Sequence, residues 1–409
     1  MSRLNRAQTV EDLRQMARSR LPLAMFDFVD GGAESEAALR HNRAVFDRVR
    51  FRARTVVDVT ERSQEIELFG RKSGSPFAIS AMGGLGTLRY KAEIALAKAA
   101  SAARIPFMLS LGANCSVEEV ADHAPDARLW AQLYTFKDDR LNRALIDRAA
   151  AAGYEALVVT TDSNVFPKRP RDRRNGFSFG LKMTPRNIWD VLTHPRWTMD
   201  VVMRGNVGRM ESMVPLYDGP KTPQALLAYF IAERNPMLDW PTLKRIRKMW
   251  KGPMILKGIM TSEEASAAAD FGMDGVILSN HGGRNLDYAV APLEILPEVM
   301  DAVGSRLTVM LDSGFRCGTD VVKAIAMGAK TALFGRPAAY AVAAGGDAGA
   351  RHLISMFREE IDLTMGFLGV RSLDELGPDY LWFDGLAAGS SITRPAAKPP
   401  KRRSTKKSG

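Results

Sequence analysis

The sequence predicts an α/β fold: a (β/α)8 TIM barrel with an N-terminal helical extension and a long insertion between strands 4 and 5. Three observations predict it. Eight short apolar runs alternate with helix-like stretches, the pattern of strands buried in a parallel sheet. Polar or small residues collect at the C-terminal ends of those runs, where barrels of this kind carry their chemistry. The chain has 409 residues, 46% hydrophobic and 25% charged, which is enough for one large core.

Taken in order, the N-terminal extension of about 70 residues is expected to form two helices packed on the barrel. The first run, residues 77–80 (FAIS), leads to Gly83 and Gly84. An alanine-rich helix over 92–104 connects it to the second run, 106–110 (PFMLS), which ends in Ser110. The third, 129–133 (LWAQL), presents Gln132, with Tyr134 just beyond. The fourth, 156–160 (ALVVT), presents Thr160 and then Asp162. The fifth, 253–257 (PMILK), ends in Lys257, and Thr261 caps a helix that opens with two acids. The sixth, 275–279 (GVILS), carries Ser279, His281 and Arg284 at its end. The seventh, 308–312 (TVMLD), ends in Asp312, and the apolar spacing over 319–329 predicts a helix stopping at Gly328. The eighth, 331–335 (TALFG), delivers Gly335 and Arg336.

The insertion, about residues 176–245, far exceeds an ordinary loop. Residues 187–204 combine two tryptophans, basic residues and an amphipathic pattern, and 226–232 (LLAYFIA) form a short apolar patch. An interfacial membrane element and a set of helices packed over the barrel both fit that composition. The expected division is one barrel domain over 1–385 and a basic, disordered tail over 386–409. Seven basic residues follow the last acid, Asp384, so much of the +11 net charge is that tail. A solvated tail, or contact with anionic lipid or nucleic acid, fits such a block; no nucleic-acid partner is expected of the barrel.

Other classes are disfavoured. The charged N-terminus lacks the apolar stretch of a signal peptide, and no apolar run is long enough to span a bilayer. Two cysteines, Cys115 and Cys317, suggest neither a disulfide framework nor a metal site, which suits a reducing compartment. The expected location is the cytoplasm, with peripheral contact to the inner face of the membrane as an extension of that reading.

The chemistry starts from SNHGGRNLD (279–287). His281 follows a buried run and precedes two glycines, so it reads either as a general base at a strand end or as a loop histidine beside a turn. Asp162 can orient it through the other ring nitrogen. Arg284 can clamp a carboxylate with its fork of donors. Lys257 suits a Schiff base or the holding of an anionic charge. Gly314 with Arg316, and Gly335 with Arg336, follow runs seven and eight, where barrels often hold a phosphate; structural arginines beside turn glycines are the other reading. No G-x-G-x-x-G follows the first strand, so a Rossmann nicotinamide site is not suggested. A base, a carboxylate clamp and a phosphate-bearing cofactor point to oxidation of an acid with an adjacent hydroxyl, without identifying that cofactor.

Over about residues 10–382 the sequence resembles the FMN-dependent L-2-hydroxy acid dehydrogenase and oxidase family. The stretches that carry this are SNHGGRNLD, LPLAMFDFVDGGAES (21–35), GPMILKGI (252–259) and DSGFRCGTDVVKAIAMGA (312–329). HPRW (194–197) and the long insertion resemble the bacterial mandelate and lactate dehydrogenases. The resemblance implies FMN as cofactor and residue roles. His281 would take a proton from the substrate, supported by Asp162. Arg284 would bind the substrate carboxylate, Arg169 would be a second active-site arginine, and Tyr134 would hydrogen-bond the substrate. Lys257 would stand by the flavin N1/O2 edge. Ser110, Gln132 and Thr160 would contact the ring, and Ser279 would lie on the same wall. Asp312 would bind the ribityl chain, and Gly314, Arg316, Gly335 and Arg336 would hold the phosphate.

Three departures stand out. Phe28 occupies the place of a tyrosine that helps hold the substrate carboxylate. Ala81-Met82-Gly83 replaces the usual Pro-Thr-Gly/Ala, where the flavin contacts are mainly through backbone. Gly112 replaces a bulky tryptophan, which leaves room for a larger side chain, and Gly83 itself resembles the dehydrogenases. The resemblance therefore implies a dehydrogenase passing electrons to a quinone or other acceptor, commonly as a homotetramer. The alternatives are an oxygen-using oxidase that forms hydrogen peroxide, and a flavin-binding interaction protein with little turnover.

Overall fold

The computed structural model describes residues 4–177, 181–205 and 208–383. The predicted basic tail, 386–409, lies outside the described residues. Eight parallel strands close into a barrel: β1 (Phe77–Ile79), β2 (Pro106–Leu109), β3 (Arg128–Leu133), β4 (Ala156–Thr160), β5 (Met254–Ile259), β6 (Gly275–Leu278), β7 (Thr308–Asp312) and β8 (Thr331–Phe334). All eight coincide with the apolar runs. β8 pairs with β1 to complete the ring, with Leu333 beside Ala78.

The period of two along each strand explains the interior. Ala78, Met108, Trp130, Val158, Ile255, Ile277, Met310 and Leu333 face inward and form one buried cluster. Leu68, buried in the same cluster, and Phe69 belong to the hairpin Ile66–Leu68/Arg71–Ser73, which packs against this end of the barrel. The Phe69 ring lies edge-on to Trp130 at 5.9 Å between centroids. Two residues further along each strand, the same inward column reads Ser80, Ser110, Gln132, Thr160, Lys257, Ser279, Asp312 and Gly335. The alternate positions, such as Leu129, Leu157, Leu256 and Leu311, face outward into the larger helix-packed core.

The N-terminal extension contains three helices rather than the two expected: Val10–Arg20, Leu23–Asp30 and Ala37–Asp47. The short linkers between them, and a third start signalled by no favourable cap at Glu36, hide the break between the second and the third. Tertiary partners set it instead. Asp287, the last residue of SNHGGRNLD, accepts from the Ser35 N–H (2.8 Å) and the Ala38 N–H (2.9 Å) at the start of the third helix. Asp30 ties the extension to the barrel, accepting from Arg14 (2.6 Å), Arg171 (2.9 Å) and the Tyr340 hydroxyl (2.7 Å). Burial pushes its carboxyl up, but these donors more than offset it and hold it at about 2.

In the insertion, the helices Pro185–Thr193, Pro195–Trp197 and Pro223–Glu233 precede Trp240–Met249, which leads into β5. The two tryptophans part company. Trp197 is 2% exposed and donates its indole N–H to the Thr87 carbonyl at 2.8 Å, so HPRW packs on the barrel. Trp189 is 69% exposed, with Ile188 and Leu192 exposed beside it on the same helix. In the apolar patch, Leu226 and Phe230 are buried while Ile231 is exposed.

Candidate active site

A cavity opens over the C-terminal ends of the strands, and each of the eight strands or the loop that follows it contributes to its lining. Its floor is the polar layer of the inward columns. Lys257 Nζ lies 2.8 Å from Asp312 Oδ2 and donates to Ser279 Oγ at 3.0 Å. Ser80 and Ser279 also donate to Asp312 Oδ2, at 3.2 and 3.3 Å, and the Ser313 N–H donates to Oδ1 at 2.7 Å. Burial alone would drive the lysine down, but Asp312 and Asp162 more than offset it and hold the ammonium above its ordinary value. The same pairing holds Asp312 below the usual carboxylate range in spite of its burial. Across the floor, Gln132 accepts from Ser110 Oγ and the Leu111 N–H, both at 3.1 Å, and donates to Thr160 Oγ1 at 3.0 Å.

One wall carries the base. His281 Nδ1 lies 3.0 Å from Asp162 Oδ1 and 3.2 Å from Oδ2. A carboxylate only accepts, so Nδ1 carries the proton and Nε2 keeps its lone pair. Burial lowers the His281 pKa, and Asp162 opposes that shift without cancelling it. Asp162 is itself held below the usual carboxylate range: burial raises it, and His281 and Lys257 together lower it further. His281 adopts φ +57°, a left-handed backbone that costs an L-residue energy and is found where the surroundings enforce it. Here its N–H is held by Ser279 Oγ at 3.1 Å. Gly258, at φ +107°, lets β5 pass Asp162; a Cβ there would lie 2.5 Å from the Asp162 Cβ. Sequence reasoning missed two supports of this dyad. Asn285 donates to the Asp162 carbonyl (2.7 Å) and to Ser163 Oγ (2.9 Å), and Ser163 donates to Asp162 Oδ1 at 3.2 Å. Both lie within three residues of a predicted site residue, which is the signal that could have found them.

Two arginines face the same space. Arg284 Nη1 donates to the Phe28 and Gly31 carbonyls, at 2.7 and 2.8 Å, leaving Nε and Nη2 uncommitted. Arg169 donates from Nε to the Arg284 carbonyl at 3.2 Å. Burial lowers the pKa of both, and at Arg284 the Arg169 and Arg336 charges lower it further; Asp172 opposes the shift at each. Buried like charges of this kind make a site that is stabilised by an arriving anion. Tyr134 lines the cavity, its hydroxyl raised by burial and by Asp162. Phe28 reaches the site from the extension, its ring 4.7 Å from that of Phe177 and 5.3 Å from the Arg284 guanidinium.

The far end of the cavity gathers Gly314, Arg316, Gly335 and Arg336. Arg336 commits three N–H groups to the carbonyls of Val29 (3.0 Å), Gly282 (2.9 Å) and Gly31 (2.8 Å), leaving two. Burial lowers it to about 10, with Arg316 adding to the shift. Gly314, at φ +92°, fits against the Asn42 carbonyl, which a Cβ would strike at 2.1 Å. Ala81 and Gly83 line the opposite side, where a Cβ on Gly83 would meet the Gly112 carbonyl at 3.4 Å. The structure thus brings every predicted site residue to one cavity or its floor.

An eight-stranded barrel with a histidine–aspartate dyad, a pair of buried arginines and a polar floor ending in two more arginines is the architecture of a cofactor-dependent oxidoreductase. Residues 17–383 match the family model described as FMN-dependent dehydrogenase, and the chain belongs to that family. An L-lactate dehydrogenase of Azorhizobium caulinodans is 39% identical over 370 residues, covering 90% of this chain and 97% of that one. The (S)-mandelate dehydrogenase of Pseudomonas putida is 37% identical over 377 residues, 92% of this chain and 94% of that one. A crystal structure of the monotopic membrane protein (S)-mandelate dehydrogenase superposes with a TM-score of 0.89 at 36% identity, covering 93% of this chain and all of that one.

FMN is the cofactor of this family, and the donor set fits it. The floor offers alternating donors and acceptors to a flat heteroaromatic ring, with one buried cation, Lys257, among them. The Arg316–Arg336 end offers guanidinium N–H groups to a phosphate.

Proposed function

We propose that the protein oxidises an L-2-hydroxy acid, of the lactate or mandelate kind, to the 2-oxo acid. The observation that carries this reading is the convergence of His281 and the Arg169–Arg284 pair on one wall of the cavity, above the Lys257–Asp312 floor. Arg284 and Arg169 bind the substrate carboxylate, and the Tyr134 hydroxyl donates to a substrate oxygen. Nε2 of His281 takes a proton from the substrate, and Asp162 stabilises the imidazolium that forms. FMN, when bound, would supply the two-electron acceptor for the alcohol carbon. Lys257, kept cationic by Asp312, favours negative charge on that side of the cavity. Ser110, Gln132, Thr160 and Ser279 would hold the ring, Ala81 and Gly83 would contact it through backbone, Asp312 and Gly314 would hold the ribityl chain, and Arg316, Gly335 and Arg336 would hold the phosphate.

Gly83 and the long insertion favour a dehydrogenase that passes electrons to a quinone or another acceptor, over an oxidase that uses oxygen. Among the described residues no helix is long and apolar enough to cross a membrane. Exposed Ile188, Trp189, Leu192, Met199, Val202 and Met203 in the insertion support peripheral attachment, on the cytoplasmic face. Exposed Leu363 and Phe367, one turn apart on the last long helix, support a homo-oligomer such as the tetramer. The barrel with its insertion, 1–385, is read as one domain that carries the basic tail 386–409.

The test is an anaerobic visible spectrum of the purified holoprotein, before and after L-2-hydroxy acids from glycolate to mandelate. Bleaching of the flavin band by one of them is the expected result. A flavin-loaded protein that none of them bleaches would overturn the reading.

A further inference from the structure

The cavity holds one more arginine that this chemistry leaves unused. Arg234 comes from the insertion, just past the helix Pro223–Glu233, and lines the same cavity as Tyr134, Arg169, His281 and Arg284. It is firmly placed. Phe136 and Arg234 form an antiparallel bridge, the Lys137 N–H donates to the Glu233 carbonyl, and the Asn235 N–H donates to the Thr135 carbonyl, both at 2.9 Å. The segment is thereby anchored to the loop that follows β3 directly after Tyr134. Its guanidinium carbon sits 5.1 Å from the Tyr134 ring centroid and 5.3 Å from that of Phe166. Among the described residues it meets no carboxylate within ion-pair distance, and its side chain donates no hydrogen bond.

The other cations of the cavity have their anions. Lys257 has Asp312, and Arg316 and Arg336 would hold the cofactor phosphate. Arg169 and Arg284 have Asp172 nearby and the substrate carboxylate to come. Arg234 has no carboxylate within ion-pair distance among the described residues; Asp162 acts on it only through space, and burial outweighs that help and lowers its pKa. A desolvated guanidinium clamped between two rings is a fork of donors awaiting an anion. The two rings attract the charge modestly, but they offer no partner to its N–H groups, which stay free to bind an anion in the cavity. Gly83 and Gly112 line the cavity without side chains of their own.

We propose that Arg234 binds a second carboxylate on the substrate, so that the site prefers L-2-hydroxy acids with a distal carboxylate group, such as 2-hydroxy dicarboxylic acids of four or five carbons. This rests on the function proposed above. Arg169 and Arg284 hold the carboxylate next to the reacting carbon, and Arg234 holds the far one from the insertion side. Tyr134 lies between them and orients the hydroxyl.

The experiment compares matched pairs on the flavin-loaded protein: L-2-hydroxyglutarate against L-2-hydroxyvalerate, and L-malate against L-2-hydroxybutyrate. The wild type is expected to favour the diacid of at least one pair in kcat/KM by about 30-fold, the scale of a largely desolvated charge pair. In Arg234→Met that ratio collapses towards one, and Arg234→Lys retains part of it. Titration of the same proteins with 2-oxoglutarate and 2-oxovalerate reads the preference without turnover. A wild type that prefers the uncharged chain in both pairs would overturn the inference, as would an Arg234→Met ratio equal to the wild-type ratio. If no hydroxy acid bleaches the flavin, the proposed function fails, and the two oxo acid titrations still decide whether Arg234 selects a diacid.

Discussion

Lys257 and Asp312 form an ion pair of 2.8 Å on the barrel floor, reaching across from β5 and β7, with Ser279 of β6 bonded to both. Both side chains are almost wholly shielded from water. Breaking such a pair strands the other charge, at a cost of about 3–5 kcal/mol. Lys257→Met is therefore expected to unfold earlier in denaturant by that amount and to release FMN more readily than the wild type. Unaltered stability together with unaltered flavin retention would contradict the role given to the pair.

The His281–Asp162 dyad sets the pH dependence. Burial holds the His281 pKa below its ordinary 6.5, so the neutral base is present above that range, and kcat/KM falls on the acid side as the ring becomes protonated. The same depressed value means that His281 adds stability above about 6.5 that is lost as the pH falls through its folded value. Because Asp162 raises the His281 pKa, Asp162→Asn moves the acid limb to lower pH and weakens the base. His281→Gln is expected to lower kcat by about 10²–10⁴-fold while FMN stays bound. A pH–rate profile of both variants with a flavin spectrum checks this, and an unshifted limb in Asp162→Asn would count against the dyad.

Phe28 is packed between Phe177 and Gly84, with the Arg284 guanidinium over its ring. Phe28→Tyr adds a donor beside the carboxylate clamp without enlarging the ring. A gain of about 1 kcal/mol in substrate binding, or roughly five-fold in KM, is expected if that hydroxyl reaches the carboxylate. Steady-state kinetics of the single variant read it, with unchanged KM as the contrary result.

Trp189 and Leu192 stand on the exposed face of the helix Pro185–Thr193, whereas Trp197 is buried. Replacing Trp189 and Leu192 by serine should weaken co-sedimentation with anionic vesicles and leave the melting temperature within about 2 °C, since surface positions contribute little to folding. Attachment that persists in the double variant but is washed off by high salt would assign it to charge instead of the apolar face.

The barrel and the layer of chemistry on top of it are legible along the chain. Each strand is an apolar run whose inward column turns polar or small two residues on: Trp130 to Gln132, Ile255 to Lys257, Met310 to Asp312. Both the period of two and the strand-end position are local, so they can be read along the chain. SNHGGRNLD is local in the same sense, because its histidine, glycines and arginine share one loop. Only the tertiary structure decided the rest, because it depends on residues far apart in sequence being brought together. The third helix of the extension begins where Asp287, some 250 residues away, receives its first N–H groups. The two tryptophans of one amphipathic segment differ only in which of them the barrel covers. Arg234 reads as an ordinary basic residue between a helix and a proline. The closed ring of strands, and the bridge that docks its segment on the loop after β3, put its charge into the cavity, and no periodicity or spacing along the chain carries that information.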